Sequence, residues 1–236
     1  MVVKVHQFKN EPPETPYAPL WDFVIAEKET DLDVDELSYI ILSKEKEIIE
    51  EYPEGWANQP VHDGYTGLGT DSLTARFKYF NVLKWDYPVC KDLHNEIRMF
   101  HDQYVSNTTD GKFDARFKVR CWANVMRKGQ KINKHCHATH PHSYLSGHFT
   151  VACHDTSTIY YHPYNQETYP LKNSSNSMTL FPTWMAHSTS SHEVDIPRIT
   201  VAFDILLYST PVEDLNTFYG DDHRSAMNQE DNLVPL

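Results

Sequence analysis

The sequence predicts a mainly β fold preceded by helices. From Phe113 onward the chain consists of short runs rich in aromatic and β-branched residues, separated by Gly, Pro, Asn and His. Before residue 112, two segments carry apolar residues at helical spacing instead. Many short strands at such intervals are typical of a sandwich or barrel.

Two helices are predicted in the N-terminal half. Asp33 is positioned to cap the first helix, which keeps its helical spacing to about Tyr52. The second helix begins at Pro88 and runs to about Tyr104. Its buried face consists of Val89, Leu93, Ile97 and Phe100. Residues 8–20 predict an extended arm, and residues 54–69, rich in Gly, Pro and Asn, predict a loop.

Five strands are predicted in the second half of the chain, and nothing resembles a second domain. The strands cover residues 117–125, 148–153, 158–161, 178–181 and 199–207. We therefore expect one domain over residues 1–236, because 236 residues fall within the range of one large mixed domain. In it, residues 1–112 form a helical and loop support, 113–210 the β core and 211–236 a polar tail.

Composition excludes several classes of protein. The net charge of −12 argues against a general affinity for nucleic-acid phosphate. The N-terminus lacks the apolar region of a signal peptide, and no stretch is long enough to span a bilayer. The four cysteines include no C-x-x-C pair. We expect a soluble cytoplasmic protein that binds neither nucleic acid nor membrane; its oligomeric state does not follow from the sequence.

Five histidines within residues 135–148 predict a metal site. Imidazole is the commonest protein metal ligand, and an H-x-H pair on a strand directs both rings to one face. His135 with His137, or His140 with His142, fits that spacing. His187, which follows an apolar run about forty residues later, could complete a facial triad. Spacing alone leaves the choice between the two pairs open.

A later strand supplies a candidate anion site. Two sets of residues alternate along this strand. One set is apolar and consists of Ile199, Val201, Phe203 and Ile205; the other consists of Arg198, Thr200, Ala202 and Asp204. An arginine on a buried face is costly unless it meets an anion, and its planar fork suits a carboxylate, with the Thr200 hydroxyl as a further donor. Together with the histidines, this strand indicates an iron-dependent oxygenase. His192 is a nearby alternative ligand without supporting context.

With these residues identified, the chain resembles the 2-oxoglutarate- and Fe(II)-dependent oxygenase superfamily. More narrowly, it is similar to a group of such oxygenases found widely in marine bacteria and their phages. The matching motifs are Trp122-Ala-Asn124, Gly129, His135-Cys-His137, Leu145-Ser-Gly147, Leu180-Phe-Pro-Thr-Trp-Met-Ala-His187 and Arg198-Ile-Thr-Val-Ala-Phe-Asp204. The resemblance covers about residues 122–204 and implies a double-stranded β-helix, the cupin-like jelly roll, as the core over 113–210.

The resemblance also implies the ligands and the cosubstrate. His187 is an iron ligand, and we favour His135 and His137 as the others, with His140 in reserve because three residues are inserted after His137 relative to the family pattern. Fe(II), 2-oxoglutarate and O2 are the expected cofactor and cosubstrates.

The implied cosubstrate contacts lie on two strands. Arg198 grips the distal carboxylate of 2-oxoglutarate, assisted by Thr200, and Asn124 belongs to the same site.

One departure from the wider superfamily bears on function. The middle ligand is usually a carboxylate in an H-x-D/E pair, whereas this chain has His137. A carboxylate from elsewhere, such as Asp155 or Asp195, could complete the triad instead.

Three functions are therefore open. The first is a 2-oxoglutarate-dependent oxygenase acting on a small-molecule or peptidyl substrate. The second is a cupin-like three-histidine dioxygenase that does not use 2-oxoglutarate. The third is a non-catalytic jelly-roll binding protein.

Overall fold

A computed structural model describes nine stretches of the chain: residues 3–8, 15–18, 22–53, 63, 66–109, 115–137, 144–164, 167–209 and 232–236. The predicted arm, the loop after the first helix and the C-terminal tail lie largely outside these described residues, as do His140 and His142.

Both predicted helices are present, with bounds close to those expected. Helix α1 spans Val34–Glu51 and helix α2 spans Pro88–Thr108. The Asp33 side chain accepts a hydrogen bond from the Glu36 backbone N–H, as predicted for a capping residue. Pro88 occupies the first turn of α2, where its missing N–H is not needed.

In the described part of the chain, ten strands form two antiparallel sheets. The strands are β1 (Val3–Phe8), β2 (Phe23–Glu29), β3 (Phe117–Met126), β4 (Leu145–Ala152), β5 (Ser157–Tyr161), β6 (Thr168–Lys172), β7 (Ser177–Pro182), β8 (His187–Thr189), β9 (Arg198–Leu207) and β10 (Val234–Pro235). The larger sheet has the order β1-β2-β7-β4-β9-β3-β10, and the smaller has the order β6-β5-β8. The fold is the predicted jelly roll preceded by two helices.

The N-terminal part is less helical than expected. Strands β1 and β2 extend the larger sheet through pairing of β2 with β7. The apolar run Phe23-Val-Ile-Ala is too short for periodicity to distinguish a strand from a helix, so the sequence analysis missed it. At the other end, Val234 and Pro235 pair with β3, so part of the expected polar tail also joins the sheet.

The two faces of the larger sheet differ in chemistry. The outer face packs under the helices, where Phe149, Val201 and Phe203 share one apolar core with Leu37 and Ile41 of α1. The inner face of β9 carries Arg198, Thr200, Ala202 and Asp204, all buried. The predicted alternation along β9 is therefore confirmed, and it directs a cation, a hydroxyl and a carboxylate into the jelly roll.

No helix in the described part of the chain is both long and apolar enough to cross a membrane.

Gly147 is required for close packing in the middle of the larger sheet. A Cβ atom at this position would lie 2.5 Å from the Thr179 backbone oxygen and would also meet the Phe203 ring. Because the obstructing oxygen belongs to the backbone of the neighbouring strand, it cannot move aside without disturbing the sheet. This contact explains the glycine in the Leu145-Ser-Gly motif.

We expect Gly147→Ala to lower the free energy of unfolding by about 2–3 kcal/mol, because overpacking forces β4 and β7 apart. Gly69→Ala is the matched control: Gly69 has a φ of 88° but open space around it, so only backbone strain of about 1 kcal/mol is expected. Urea denaturation of both variants measures the difference. A smaller loss for Gly147→Ala than for Gly69→Ala would contradict the packing argument.

Candidate metal and anion site

The backbone brings His135 and His187 face to face. Two backbone hydrogen bonds fix this pair: the His135 N–H donates to the His187 oxygen at 3.0 Å, and the His187 N–H donates to the His135 oxygen at 2.8 Å. His187 begins β8, whereas His135 forms only an isolated bridge, so the expectation that the H-x-H pair lies on a regular strand is wrong. A hydrogen bond from the His137 N–H to the Thr183 oxygen extends this pairing.

Three imidazoles meet as a result. One ligand nitrogen from each of His135, His137 and His187 lies within 4.8 Å of the others. The ring centroids of His135 and His187 are 4.5 Å apart, and those of His137 and His187 are 5.1 Å apart. Among the described residues this is the group that could hold a metal ion through three His, Cys, Asp or Glu side chains. The geometry brings together the three histidines favoured from the sequence.

Hydrogen bonds determine which nitrogen each ring presents. The Nδ1 atoms of His135 and His187 lie 2.8 and 3.0 Å from the backbone oxygens of Asn133 and Met185. A carbonyl oxygen can only accept, so each Nδ1 carries the hydrogen and each Nε2 keeps a lone pair. The Nδ1 of His137 is held at 2.5 Å from Asp204 Oδ1. Nε2 is therefore the nitrogen that each of the three histidines has left for a metal.

Burial keeps two of these histidines in the neutral form that binds metals. Burial, with a further electrostatic contribution from neighbouring His137, lowers the pKa of His135 to about 4. Burial also lowers the pKa of His187 well below its ordinary value, with further contributions from His135 and His137. At neutral pH no proton then has to leave these Nε2 atoms before a cation binds.

The other candidates are not part of this group. Asp155 and Asp195 lie at the surface in ion pairs with Lys172 and Lys128, and their side chains are 91% and 87% exposed. His192 is buried elsewhere, with its Nε2 2.6 Å from the Ile196 oxygen. The reserve ligand, His140, is outside the described residues.

Arg198 lies in the wall of the same cavity as the three histidines. Its side chain is buried, and its neighbours are neutral: Nε donates to Thr156 Oγ1 at 3.1 Å and Nη2 to Asn173 Oδ1 at 3.4 Å. No carboxylate of the described residues forms an ion pair with it. Burial lowers the pKa of Arg198 to about 10, which still leaves it charged at neutral pH. A buried cation without a counter-charge favours the binding of an anion in this cavity.

Two further residues predicted for this site also line the cavity. Thr200 is adjacent to Arg198 on the inner face of β9, and Asn124 pairs with Thr200 across β3 and β9. Asn124 Oδ1 accepts a hydrogen bond from Thr74 Oγ1 at 2.8 Å, so its amide nitrogen is the end that can donate to a ligand.

Comparisons with known proteins establish the fold. No protein-family model matches the chain, and no curated protein matches its sequence. Among solved structures, the chain is similar to a Pseudomonas putida prolyl-4-hydroxylase, with a TM-score of 0.50 and 8% identity over 78% of this chain and 91% of that one. It is also similar to SnoK, a non-heme alpha ketoglutarate dependent carbocyclase from nogalamycin biosynthesis, with a TM-score of 0.51 and 10% identity over 78% of this chain and 79% of that one. At such low identities the similarity concerns the fold.

His148 is a cavity residue that was not predicted from the sequence. This residue lies on the inner face of β4 and lines the cavity with Arg198 and His137. Its Nε2 is buried, and the described residues offer it no hydrogen-bond partner. Burial, followed by the charges of Arg198 and His137, lowers its pKa to about 3. The signal in the sequence was its position two residues after Ser146, which predicts the same face of a strand.

The low pKa of His148 makes the stability of the metal-free protein depend on pH. An unfolded histidine takes up its proton near pH 6.5. In the folded chain His148 takes up its proton only near pH 3. Between these values the unfolded state binds more protons, so the free energy of unfolding falls as the pH decreases. The loss for this one group is about 2 kcal/mol at pH 5.

The glutamine side chain is neutral at every pH. We therefore expect the free energy of unfolding to fall less between pH 7 and pH 5 in His148→Gln than in the natural chain. Urea denaturation in the presence of a chelator measures both, and His6→Gln at a half-exposed position is the control. An identical pH dependence in the natural chain and in His148→Gln would mean that buried His148 is not kept neutral.

Proposed function

We propose that the protein is an Fe(II)- and 2-oxoglutarate-dependent oxygenase that oxidises a small-molecule or peptidyl substrate with O2. The observation that carries this proposal is a single cavity lined by three histidines, each with Nε2 left to bind, and by a buried guanidinium without a carboxylate partner among the described residues. A keto diacid matches both features, because one end can chelate a metal and the other is a carboxylate.

The donor set fits ferrous iron. Imidazole nitrogens suit iron among other transition metals, and three protein ligands leave positions open for a chelating cosubstrate. His135, His137 and His187 would hold the ion through Nε2. Bound together with 2-oxoglutarate, iron supplies oxidation of the substrate by O2 with release of succinate and CO2.

The remaining polar residues would orient the cosubstrate. Arg198 would bind the distal carboxylate through charge-assisted hydrogen bonds, with the Thr200 hydroxyl and the Asn124 amide nitrogen as further donors. Trp122 and Phe181 line the same cavity and would exclude water from the reacting groups.

Fold and motifs support the proposal. SnoK, a non-heme alpha ketoglutarate dependent enzyme, has a similar fold. The motifs around His135, His187 and Arg198 favour assignment to the oxygenase group of marine bacteria and their phages.

The proposal predicts a visible charge-transfer band when 2-oxoglutarate is added anaerobically to the protein with Fe(II), because the keto acid chelates the metal. His187→Ala should abolish the band, whereas His6→Ala, at a half-exposed position paired with Glu27, should retain it. The measurement is an absorbance titration. A silent titration of a protein that nonetheless binds iron would exclude 2-oxoglutarate as cosubstrate.

A second prediction tests the role of Arg198. Arg198→Met keeps much of the side-chain length but removes the charge, so we expect 2-oxoglutarate to bind about 10- to 100-fold more weakly. Pyruvate lacks the distal carboxylate, so it should bind the natural chain more weakly than 2-oxoglutarate does. The Arg198→Met substitution should change the affinity for pyruvate little. The natural chain should therefore discriminate between the two keto acids and the variant should not.

The control for this test is Arg127→Met, which removes a half-exposed arginine paired with Glu45. Thermal melting of each variant checks that the fold is intact. Unchanged discrimination in a folded Arg198→Met variant would contradict the assigned role.

A three-histidine dioxygenase that does not use 2-oxoglutarate is the second candidate. The observation in its favour is that, among the described residues, the group of possible metal ligands consists of three histidines and includes no carboxylate. Arg198 would then bind a carboxylate of the substrate itself. O2 consumption that proceeds without 2-oxoglutarate would favour this function.

A further inference from the structure

Asp204 is a buried carboxylate whose two oxygens are both engaged. Oδ1 accepts hydrogen bonds from His137 Nδ1 at 2.5 Å and from Ser146 Oγ at 2.6 Å. Oδ2 accepts from Arg120 Nη2 at 2.9 Å. The ion pair with Arg120 compensates the charge of this buried carboxylate.

The sheet register creates this arrangement. Asp204 on β9 pairs with Arg120 on β3 and with Ser146 on β4. All three side chains point inward, so the carboxylate is fixed from both sides beneath His137. Such a fixed acceptor holds the His137 ring in one orientation.

His137 differs in this respect from the other two histidines. His135 and His187 donate to neutral backbone oxygens, whereas His137 donates to a carboxylate. A carboxylate acceptor makes an imidazole a more basic metal ligand than a carbonyl does. His137 is also the middle of the three ligands in chain order, the place where a 2-His-1-carboxylate site has its negative charge.

Arg120 does not cancel this effect at the histidine. It contacts the far oxygen of Asp204, so the ion pair turns its negative end toward His137 and its positive end away. Because the interaction of charges weakens with distance, the nearer carboxylate dominates at the His137 ring.

We propose that Asp204 is a positioning residue that restores, through His137, the negative charge missing from a three-histidine metal site. It thereby sets the affinity for Fe(II) and the potential of the Fe(III)/Fe(II) couple. The inference rests on the metal half of the proposed function and is independent of 2-oxoglutarate.

The test compares three variants with the natural chain. Asp204→Asn keeps an acceptor oxygen for His137 but removes the charge. Arg120→Met combined with Asp204→Asn also removes the cation that Asp204 contacts, so that a loss of folding can be separated from a loss of metal binding. Asp195→Asn, at an exposed aspartate paired with Lys128, is the matched control.

Anaerobic competition with a chromophoric chelator measures Fe(II) affinity, and a redox titration measures the potential. We expect Asp204→Asn to bind Fe(II) about 10- to 100-fold more weakly and to shift the potential upward, because Fe(III) loses more stabilisation than Fe(II). The double variant should recover thermal stability yet bind more weakly than the natural chain. Asp195→Asn should match the natural chain.

If the double variant had the same Fe(II) affinity and the same Fe(III)/Fe(II) potential as the natural chain, the inference would be overturned. Asp204 would then be a structural partner of Arg120. Absence of Fe(II) binding in the natural chain would overturn it as well. A natural chain that binds iron without giving a charge-transfer band with 2-oxoglutarate would contradict only the proposed cosubstrate, and the effect of Asp204→Asn on affinity would still be measured.

Discussion

The antiparallel pairing of β9 with both β3 and β4 is the constraint on which the rest of the site depends. Each of the ten residues of β9 has a partner on β3. Because side chains alternate, a slip of one residue would turn Arg198, Thr200 and Asp204 outward and place Ile199 and Val201 inside. The apolar outer face under α1 and α2 opposes such a slip. The core that stabilises the fold therefore also fixes which polar groups face the cavity.

The two charged side chains on the inner face of β9 differ in whether they have a partner of opposite charge. Asp204 at one end has Arg120, His137 and Ser146 as partners, so its burial is compensated. Arg198 at the other end has neutral neighbours among the described residues, and its burial is not compensated by an ion pair. A folded chain tolerates an uncompensated buried charge where a ligand completes it, and such positions concentrate at functional sites. This contrast is why Arg198, and not Arg120, is the candidate anion-binding residue.

Local patterns were sufficient to predict the helices, five of the strands and the inward face of β9. The cap at Asp33 and the alternation from Arg198 to Asp204 are properties of neighbouring residues, and neighbouring residues are what a sequence displays. The bridge between His135 and His187 joins residues 52 positions apart and depends on how β8 lies against the loop before β4. No spacing rule contains that information, so spacing made His187 only a candidate third ligand, and resemblance to a family was needed to favour His135 and His137 as its partners.

Two residues of the site, His148 and Asp204, lie at positions that strand alternation relates to other inward-facing residues, but neither was assigned a role from the sequence. His148 has the same parity along β4 as Ser146, and Asp204 has the same parity along β9 as Arg198, so strand alternation places each pair on one face of its strand. Their partners were not predictable, because the Asp204–His137 contact joins a strand to a loop 67 residues away. Strand β2 was missed for a different reason: four apolar residues fit a strand or a buried helix equally well.

Under the proposed function, the charge of the cavity also constrains the substrate. Arg198 lines the cavity and has no carboxylate partner among the described residues, so it offers one carboxylate site. If 2-oxoglutarate occupies that site, the substrate must be recognised by other groups and has no need to be acidic. If the protein does not use 2-oxoglutarate, the same guanidinium becomes the recognition element, and the substrate must itself carry a carboxylate. The identity of the anion at Arg198 thus determines the cosubstrate and the chemical class of the substrate together.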